Sequence, residues 1–396
     1  MSRSRDNLEA FAIDVILDRR HGIRATLLRG FLFALSLLFE RIVQLRLLLY
    51  RKRIFRERAL GCLVISIGNL TVGGTGKTPV VEKFARALQM GGRRVAILSR
   101  GYKSAPRPTR RSWFDKLRGR NVDPPRVVSD GTSLLLDSLT AGDEPYMLAH
   151  NLKNVAVIVD KDRVKSGLYA IENIGADTLL LDDGLQYLHL KHRLDIVLID
   201  RQAPFGNEFM LPRGTLREPP RNLRRASYIF ITKSSGQSND ELIDRIRKLN
   251  RTAEIIECAH KPLHLQNVYT GEQLPLEALR DTYIGALSGI AAPESFEGGL
   301  RDLGARIEIA KRYLDHHRYN EQELRTFIGR CIRRDLAMVV TTEKDSVRFP
   351  LISNPEVPIY FLRVEIEILS GHETWEHCVG RICQPQPLLS PERFFA

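Results

Sequence analysis

Leu63-Val64-Ile65-Ser66-Ile67-Gly68-Asn69-Leu70-Thr71-Val72-Gly73-Gly74-Thr75-Gly76-Lys77-Thr78-Pro79 is the stretch on which the fold turns. Leu63 to Ile67 is an apolar run of strand length. The residues after Pro79 place Val81, Phe84, Ala85 and Leu88 at helical spacing. Strand, glycine-rich loop, Gly-Lys-Thr and helix in that order predict a phosphate-binding loop. Its glycines let backbone N–H groups approach phosphate oxygens, and the helix N-terminus adds partial positive charge. Lys77 would reach the β- and γ-phosphates, and the Thr78 hydroxyl would ligate magnesium. The expectation is a bound nucleoside triphosphate, cradled by Thr71, Val72, Gly73, Gly74, Thr75, Gly76, Lys77 and Thr78.

The loop departs from the common G-x-x-x-x-G-K-[ST] pattern, whose first glycine would fall at Thr71. The paired Gly73-Gly74 resembles the variant loop of partitioning and signal-recognition P-loop proteins. Dimerising ATPases of that class carry a second lysine where this chain has Val72. A membrane-recruited ATPase of the partitioning class is therefore the alternative to weigh.

A chain of 396 residues can hold two domains with separate cores. Its 43% apolar and 27% charged content are ordinary, but its net charge of +13 is not. That charge points to an anionic partner: nucleic acid, a membrane surface or a phosphorylated substrate. Residues 1–60 hold 13 Lys and Arg against 6 Asp and Glu, over half of the excess. This charge lies beside apolar residues, without a helicase motif or base-stacking aromatics, which argues against nucleic acid. The five cysteines (Cys62, Cys258, Cys331, Cys378, Cys383) are scattered, with no C-x-x-C, which fits a reducing compartment. Asp6, Glu9, Asp14 and Asp18 occupy what would be the basic region of a signal peptide. The uncharged run 30–39 is too short to cross a bilayer. With Ile42, Val43, Leu45 and Leu47 to Leu49, and the basic flank Arg51-Lys52-Arg53 and Arg56, it predicts one or two amphipathic helices. These would lie in an anionic membrane interface.

Beyond the loop, short apolar runs alternate with helical stretches, which predicts a parallel sheet covered on both faces. Strands are expected over 94–99, 155–160, 178–182, 195–200, 228–233 and 253–258, and helices over 161–174 and 240–250. The pattern restarts after His260, with strands over 282–287, 337–342 and 359–364 and helices over 293–303 and 321–332. The expected fold class is α/β: a P-loop NTPase-like parallel sheet domain, a second, smaller α/β domain, and an N-terminal amphipathic membrane-associated helix. The expected boundaries are an interface segment 1–60, a P-loop domain 61–260, a linker 261–280, the smaller domain 281–383 and a tail 384–396. The basic stretch 103–125, with Trp113 and Phe114 among its arginines, reads as an exposed loop.

Phosphoryl transfer needs more than a phosphate loop: a further metal ligand, a group that positions or deprotonates the acceptor, and cationic charge near the γ-phosphate. In an open α/β sheet, loops at strand ends supply these. Asp182-Asp183-Gly184 closes the apolar run 178–181, the place and composition of a magnesium-binding carboxylate, although Asp-Gly also suits a plain turn. Gly142-Asp143-Glu144-Pro145 opens a helical run, where Asp143 is either a functional carboxylate or a helix cap. Leu314-Asp315-His316-His317 gains meaning only if the two domains face each other across the loop. Arg100-Gly101-Tyr102, Pro212-Arg213-Gly214 and Leu216-Arg217-Glu218-Pro219 offer arginines suited to clamping phosphate.

Seven segments, taken in order, resemble the tetraacyldisaccharide 4′-kinase family over about residues 25–365. They are Gly68 to Pro79, Ser99 to Tyr102, Gly142 to Pro145, Asp182 to Gln186, Leu211 to Gly214 with Leu216 to Pro219, Asp315 to His317, and Thr341-Thr342-Glu343-Lys344-Asp345. The resemblance implies transfer of the γ-phosphate of ATP to the 4′-hydroxyl of a tetraacylated disaccharide 1-phosphate in lipid A biosynthesis. It implies work at the cytoplasmic face of the bacterial inner membrane, with the lipid and the anionic membrane surface as partners and no nucleic acid. Asp143 would then be the catalytic carboxylate and His316 its dyad partner, beside Asp315 and Lys77. Glu144, Asp182 and Asp183 would hold Mg2+ with Thr78. Arg100, Arg163 and Arg217 would bind nucleotide or lipid phosphate, and Tyr102 and Glu218 would join them in binding substrate. The chain departs from the family pattern in a longer, more basic 103–125 stretch and in an extended C-terminus.

Overall fold

The computed structural model describes residues 11, 14–16, 18–102, 104, 105 and 123–384. Most of the basic stretch 103–125 and nearly all of the tail 384–396 lie outside the described residues. Thirteen strands are β1 (Leu63–Asn69), β2 (Val95–Ser99), β3 (Arg126–Ser129), β4 (Ala156–Val159), β5 (Thr178–Asp182), β6 (Leu194–Asp200), β7 (Tyr228–Thr232), β8 (Glu254–Asn267), β9 (Gln273–Leu274), β10 (Tyr283–Ser288), β11 (Arg306–Arg312), β12 (Met338–Thr342) and β13 (Ile359–Ser370). They form one sheet in the order β11-β10-β12-β13-β8-β7-β6-β1-β5-β2-β4-β3, with β9 on β8.

β1 pairs in parallel with β5 on one side and β6 on the other. The next strand in the chain, β2, lies beyond β5, while β7 and β8 lie beyond β6. Connections thus depart from β1 in opposite directions and leave a crevice at the carboxyl ends of the strands. The phosphate loop starts there. β2, β4, β5 and β7 are buried along their whole length, as central parallel strands covered on both faces must be. The helix Lys77–Met90 covers one face, burying Val80, Val81, Phe84, Ala85 and Leu88. The expected helix over 161–174 is an α-helix, Arg163–Tyr169, that finishes in a π turn, Ala170–Ile174.

The segment 261–280 is not a simple linker. Its first seven residues continue β8 as far as Asn267, and Leu265 is fully buried. β8 pairs antiparallel with β13 from Glu257–Ser370 to Asn267–Tyr360. β8 runs parallel to β7, and β13 runs parallel to β12. The sheet therefore reverses polarity at the β8–β13 seam, and the two halves of the molecule share these strands. Ile256, Cys258, Ile366 and Ile368 belong to the core beneath the phosphate loop, whereas Leu265, Tyr360 and Leu362 belong to the core around β10 and β12.

Near the N-terminus a helix, Ile23–Arg51, runs 29 residues, about 43 Å. Phe39 and Val43 pack against the core of Phe205, Met210, Leu216 and Leu223, and Phe33 meets Phe209 edge-on. Leu27, Phe31, Leu35, Leu38, Ile42 and Leu45 lie exposed at three- and four-residue spacing, so they share the opposite stripe. Among the described residues, no helix is long and apolar enough to cross a membrane.

Candidate active site

β1 ends at Asn69, which is fully buried and braces the phosphate loop at both ends. Its Nδ2 donates to Thr71 O at 2.8 Å, and its Oδ1 accepts from Lys77 Nζ at 3.1 Å. Gly76 turns the chain at φ 75°, in the left-handed region, and no side chain caps the helix that follows. The first-turn N–H groups are therefore free of a cap and aimed at an anion. Thr232, at the end of β7, donates to Thr75 O at 2.9 Å and steadies the loop from the neighbouring strand. Val72 departs from the expected cradle: its N–H donates to Thr215 O at 2.7 Å and its side chain is exposed.

An acidic centre lies at the end of β5, next to the loop. Asp182 is 4% exposed; its Oδ2 accepts from Ser99 Oγ at 3.0 Å, and its Oδ1 has no hydrogen-bond partner among the described residues. Burial pushes its carboxyl up, and the negative charges of Glu144 and Asp183 push it further, against the opposing pull of Lys77 and Ser99. Asp183 takes the left-handed conformation at φ 54°. Its Oδ2 accepts from Arg217 at 2.7 Å and its Oδ1 lies 3.6 Å from Lys77 Nζ. Burial would raise this carboxyl too, but Lys77 and Arg217 outweigh it and hold Asp183 below the usual carboxylate range. A crowded, buried carboxylate with an unpartnered oxygen fits a divalent cation. Asp182, Asp183, Glu144 and Thr78 carry the hard oxygen donors that Mg2+ prefers, but among the described residues no three acidic, His or Cys side chains are gathered closely enough to form a ready-made metal site.

Arg163 is 4% exposed, with its guanidinium 5.1 Å from the Tyr187 ring. Burial lowers its pKa, while the negative charges of Asp182 and Asp183 act in the opposite direction, so this arginine belongs to the same centre. Arg100 is exposed at the end of β2. The Tyr102 ring stands 5.6 Å from that of His316, edge-on.

Asp143 begins the helix Asp143–Asn151, and the cap position belongs to Gly142, so capping does not account for this aspartate. The structure brings it to His316, 173 residues away, with Asp143 Oδ2 at 3.1 Å from Nδ1. Arg348 Nε lies 3.4 Å from the same oxygen, and Arg318 donates to Oδ1 at 3.1 Å. Burial alone would raise the Asp143 carboxyl. The His316 hydrogen bond and the charges of Arg348 and Arg318 reverse this and hold it low. Lys344 Nζ lies 3.3 Å from His316 Nε2. The ionised Asp143 carboxylate can only accept, so Nδ1 carries a proton toward it; Asp315 Oδ2 also flanks Nε2, at 3.7 Å. Lys344 also lies 3.3 Å from Glu144 Oε1 and 3.7 Å from Asp315 Oδ1. Lys344 thus links the acidic centre, through Glu144, to the Asp143–His316 pair.

Two expected phosphate clamps face elsewhere. Glu218 is 3% exposed and its carboxylate takes Arg225 at 2.9 Å on each oxygen, Asn222 at 2.7 Å and Gln186 at 3.1 Å. It holds the loop that presents Arg217 and does not open onto the crevice. Arg213 pairs with Asp18 at 2.8 Å and with Ile16 O at 3.1 Å, and so secures the N-terminal segment. Three cations at the pair escaped the motif reading. Arg318 adjoins the Asp-His-His run and Lys344 lies inside Thr341–Asp345, so both had a local signal; Arg348 had none.

A phosphate loop that faces a fixed carboxylate across one crevice places the chain among the P-loop kinases. Within that class it belongs to the tetraacyldisaccharide-1-P 4′-kinase family, whose model matches residues 28–383. The tetraacyldisaccharide 4′-kinase of Syntrophus aciditrophicus (strain SB) is 40% identical over 86% of this chain and 90% of its own. That of Anaeromyxobacter dehalogenans (strain 2CP-C) is 39% identical over 85% and 86%. The LpxK of Aquifex aeolicus, solved in complex with ATP, superposes with a TM-score of 0.69 at 28% identity and covers 90% of this chain and 99% of that one. Membership of this family removes the partitioning-class ATPase as an alternative.

Proposed function

We propose that this kinase transfers the γ-phosphoryl group of ATP to the 4′-hydroxyl of tetraacyldisaccharide 1-phosphate, a step of lipid A biosynthesis. The observation that carries this reading is the 3.1 Å contact between Asp143 and His316, built by the two halves beside the phosphate loop. The acceptor oxygen forms a bond to the γ-phosphorus as the bond to the β–γ bridging oxygen breaks, and ADP leaves with that oxygen. Asp143 orients the hydroxyl and takes its proton, which passes to water after the product departs. His316 holds the carboxylate through Nδ1–H. Lys77 and the first-turn N–H groups neutralise the phosphates of ATP. Magnesium held by Thr78, Glu144, Asp182 and Asp183 would supply further charge neutralisation at those phosphates. Arg100, Arg163 and Arg217, with Tyr102, serve the nucleotide or lipid phosphate.

The exposed apolar stripe of Ile23–Arg51, flanked by Arg51, Lys52, Arg53 and Arg56, suits an anionic interface at the cytoplasmic face of the inner membrane. There the acyl chains stay in the bilayer while the sugar enters the crevice. In this reading 61–260 and 281–383 act as two units hinged at the β8–β13 seam. The decisive experiment incubates the protein with ATP, Mg2+ and the lipid in detergent micelles and looks for a bis-phosphorylated product by mass spectrometry. Intact ATP binding without that product would end the kinase reading. Deletion of residues 1–55 is expected to release the protein from anionic vesicles; retained binding would move the anchor elsewhere.

A further inference from the structure

We propose that Lys344 is a catalytic cation, delivered from the second half of the molecule, whose ammonium contacts the phosphoryl group during transfer. This inference rests on the kinase reading above. A phosphoryl group in flight spreads charge over three equatorial oxygens, so cations must meet it from both sides. Lys77 is on the nucleotide side, held by Asn69 and Asp183. On the acceptor side, Arg318 and Arg348 lie against Asp143. Lys344 is the cation that bridges the two centres, with Glu144 at 3.3 Å on one side and His316 at 3.3 Å on the other. Were Glu144 to ligate a metal ion, Lys344 would keep His316 at 3.3 Å and Asp315 at 3.7 Å, and its ammonium could turn to a phosphoryl oxygen.

The backbone under Lys344 is anchored on both flanks. Glu343 accepts both of its bonds from Arg363 at 2.8 Å and takes Asn151 as well. Asp345 is fully buried and accepts from Gly289 N at 3.0 Å, Tyr319 Oη at 2.9 Å and Thr342 Oγ1 at 2.6 Å. Arg348 Nε donates to Lys344 O at 3.0 Å. The Lys344 side chain, by contrast, stays 24% exposed at the crevice. A partly exposed ion pair adds little to stability, so the contacts of the Lys344 head can be exchanged at small cost while its base stays fixed. The Thr341–Asp345 motif then has a chemical reason: its flanking residues fix the position, and Lys344 uses it.

The test compares wild type, Lys344→Met and Lys344→Arg. Melting temperature and affinity for ADP serve as controls for folding and for the nucleotide site. Lys344→Met is expected to lower kcat by about 10²–10³-fold, the loss typical of one transition-state donor, with KM for ATP nearly unchanged. It is also expected to abolish the extra affinity that aluminium fluoride confers on ADP and Mg2+, because that complex mimics the phosphoryl group in flight. Lys344→Arg is expected to retain part of both. Wild-type kcat in Lys344→Met, or an undiminished aluminium fluoride effect, would overturn the proposal. If Lys344→Met folds poorly, the same two readouts on Lys344→Gln decide it. Failure of the parent reading has a different signature: wild type itself would make no bis-phosphorylated lipid. A wild type that makes it, an inactive Asp143→Asn and an unaffected Lys344→Met would overturn the lysine alone.

Discussion

Asp182 and Asp143 are both buried, lie in one crevice and are separated by little more than Glu144 and Lys344, yet their surroundings neutralise them in opposite ways. Asp182 accepts one neutral hydrogen bond and is crowded by two other acids, so its carboxyl is pushed up. Asp143 is met by His316, Arg318 and Arg348, and its carboxyl is held low. One centre is a cation short and the other has cations to spare. A kinase needs this asymmetry. In the proposed reaction the first centre would receive a metal with the nucleotide, and the second would stay ionised while a hydroxyl approaches. Asp143 is a modest base in this resting arrangement, which suits a loose phosphoryl transfer in which the acceptor proton leaves late.

The strongest attack on this contrast is to remove each charge in turn. Asp143→Asn is expected to lower kcat by about 10³-fold, within the span for loss of a positioned acid or base, and to leave ATP affinity within a factor of a few. It also leaves Arg348, whose side chain is fully buried, without part of its counter-charge, so the melting temperature should fall. Normal turnover at saturating ATP with weakened ATP affinity would overturn the role given to Asp143.

Asp182→Asn should move stability the other way. A carboxyl whose folded pKa lies above its unfolded value destabilises the fold once pH exceeds the unfolded value. That cost is present in full above the folded pKa. Removing the charge should therefore raise the metal-free melting temperature at pH 8, by roughly 2 °C or more. The Mg2+ concentration needed for half-maximal activity should rise about tenfold or more, as when a supporting ligand is lost. A melting temperature that falls would break the contrast, because both carboxylates would then be net stabilising.

The cationic side of the contrast sharpens with Arg318→Ala. Arg318 lowers the Asp143 carboxyl, so its loss raises it, and the acid limb of kcat/KM moves to higher pH. Arg318 is 37% exposed, and water screens its charge, so the shift should be small. An unmoved acid limb would mean that a group other than Asp143 sets it.

Much of this site was legible where the chemistry is local. The loop from Gly73 to Thr78, the Asp182-Asp183 pair and the arginines of short motifs each lie within a few residues of a strand end. The pairing of Asp143 with His316 was not legible from either motif alone, because only the fold joins residues so far apart; a resemblance was needed to connect them. Fold errors have equally local causes. β3 is four residues preceded by Pro124-Pro125 and β9 is two, too short for any period to show. The second half of β8 hides behind Lys261 and Pro262, which break the alternation. Pro262 is tolerated because the β8–β13 register shifts beside it, at Arg363–Val364. Composition does not distinguish an arginine or acid facing the crevice from one holding its own loop or the N-terminal segment, as Glu218 and Arg213 do.

The smallest expected effect is also the most direct reading of the under-neutralised centre. Metal ligands must be deprotonated, so a cation that binds a partly protonated carboxyl expels a proton. Burial and the acids Glu144 and Asp183 push Asp182 up to about 7, so near neutral pH the metal-free centre retains a fraction of a proton that magnesium must displace. Titration of the protein with ADP and Mg2+ in two buffers of different ionisation enthalpy should show net proton release near pH 7. The release should fade by pH 9, where Asp182 is already ionised, and should be smaller in Asp182→Asn, where only the ADP phosphate still gives up protons. Asp143 contributes nothing to it, because its carboxyl is ionised throughout this range. Equal release by wild type and Asp182→Asn would show that the proton comes from elsewhere. The two aspartates would then differ in partners without differing in charge.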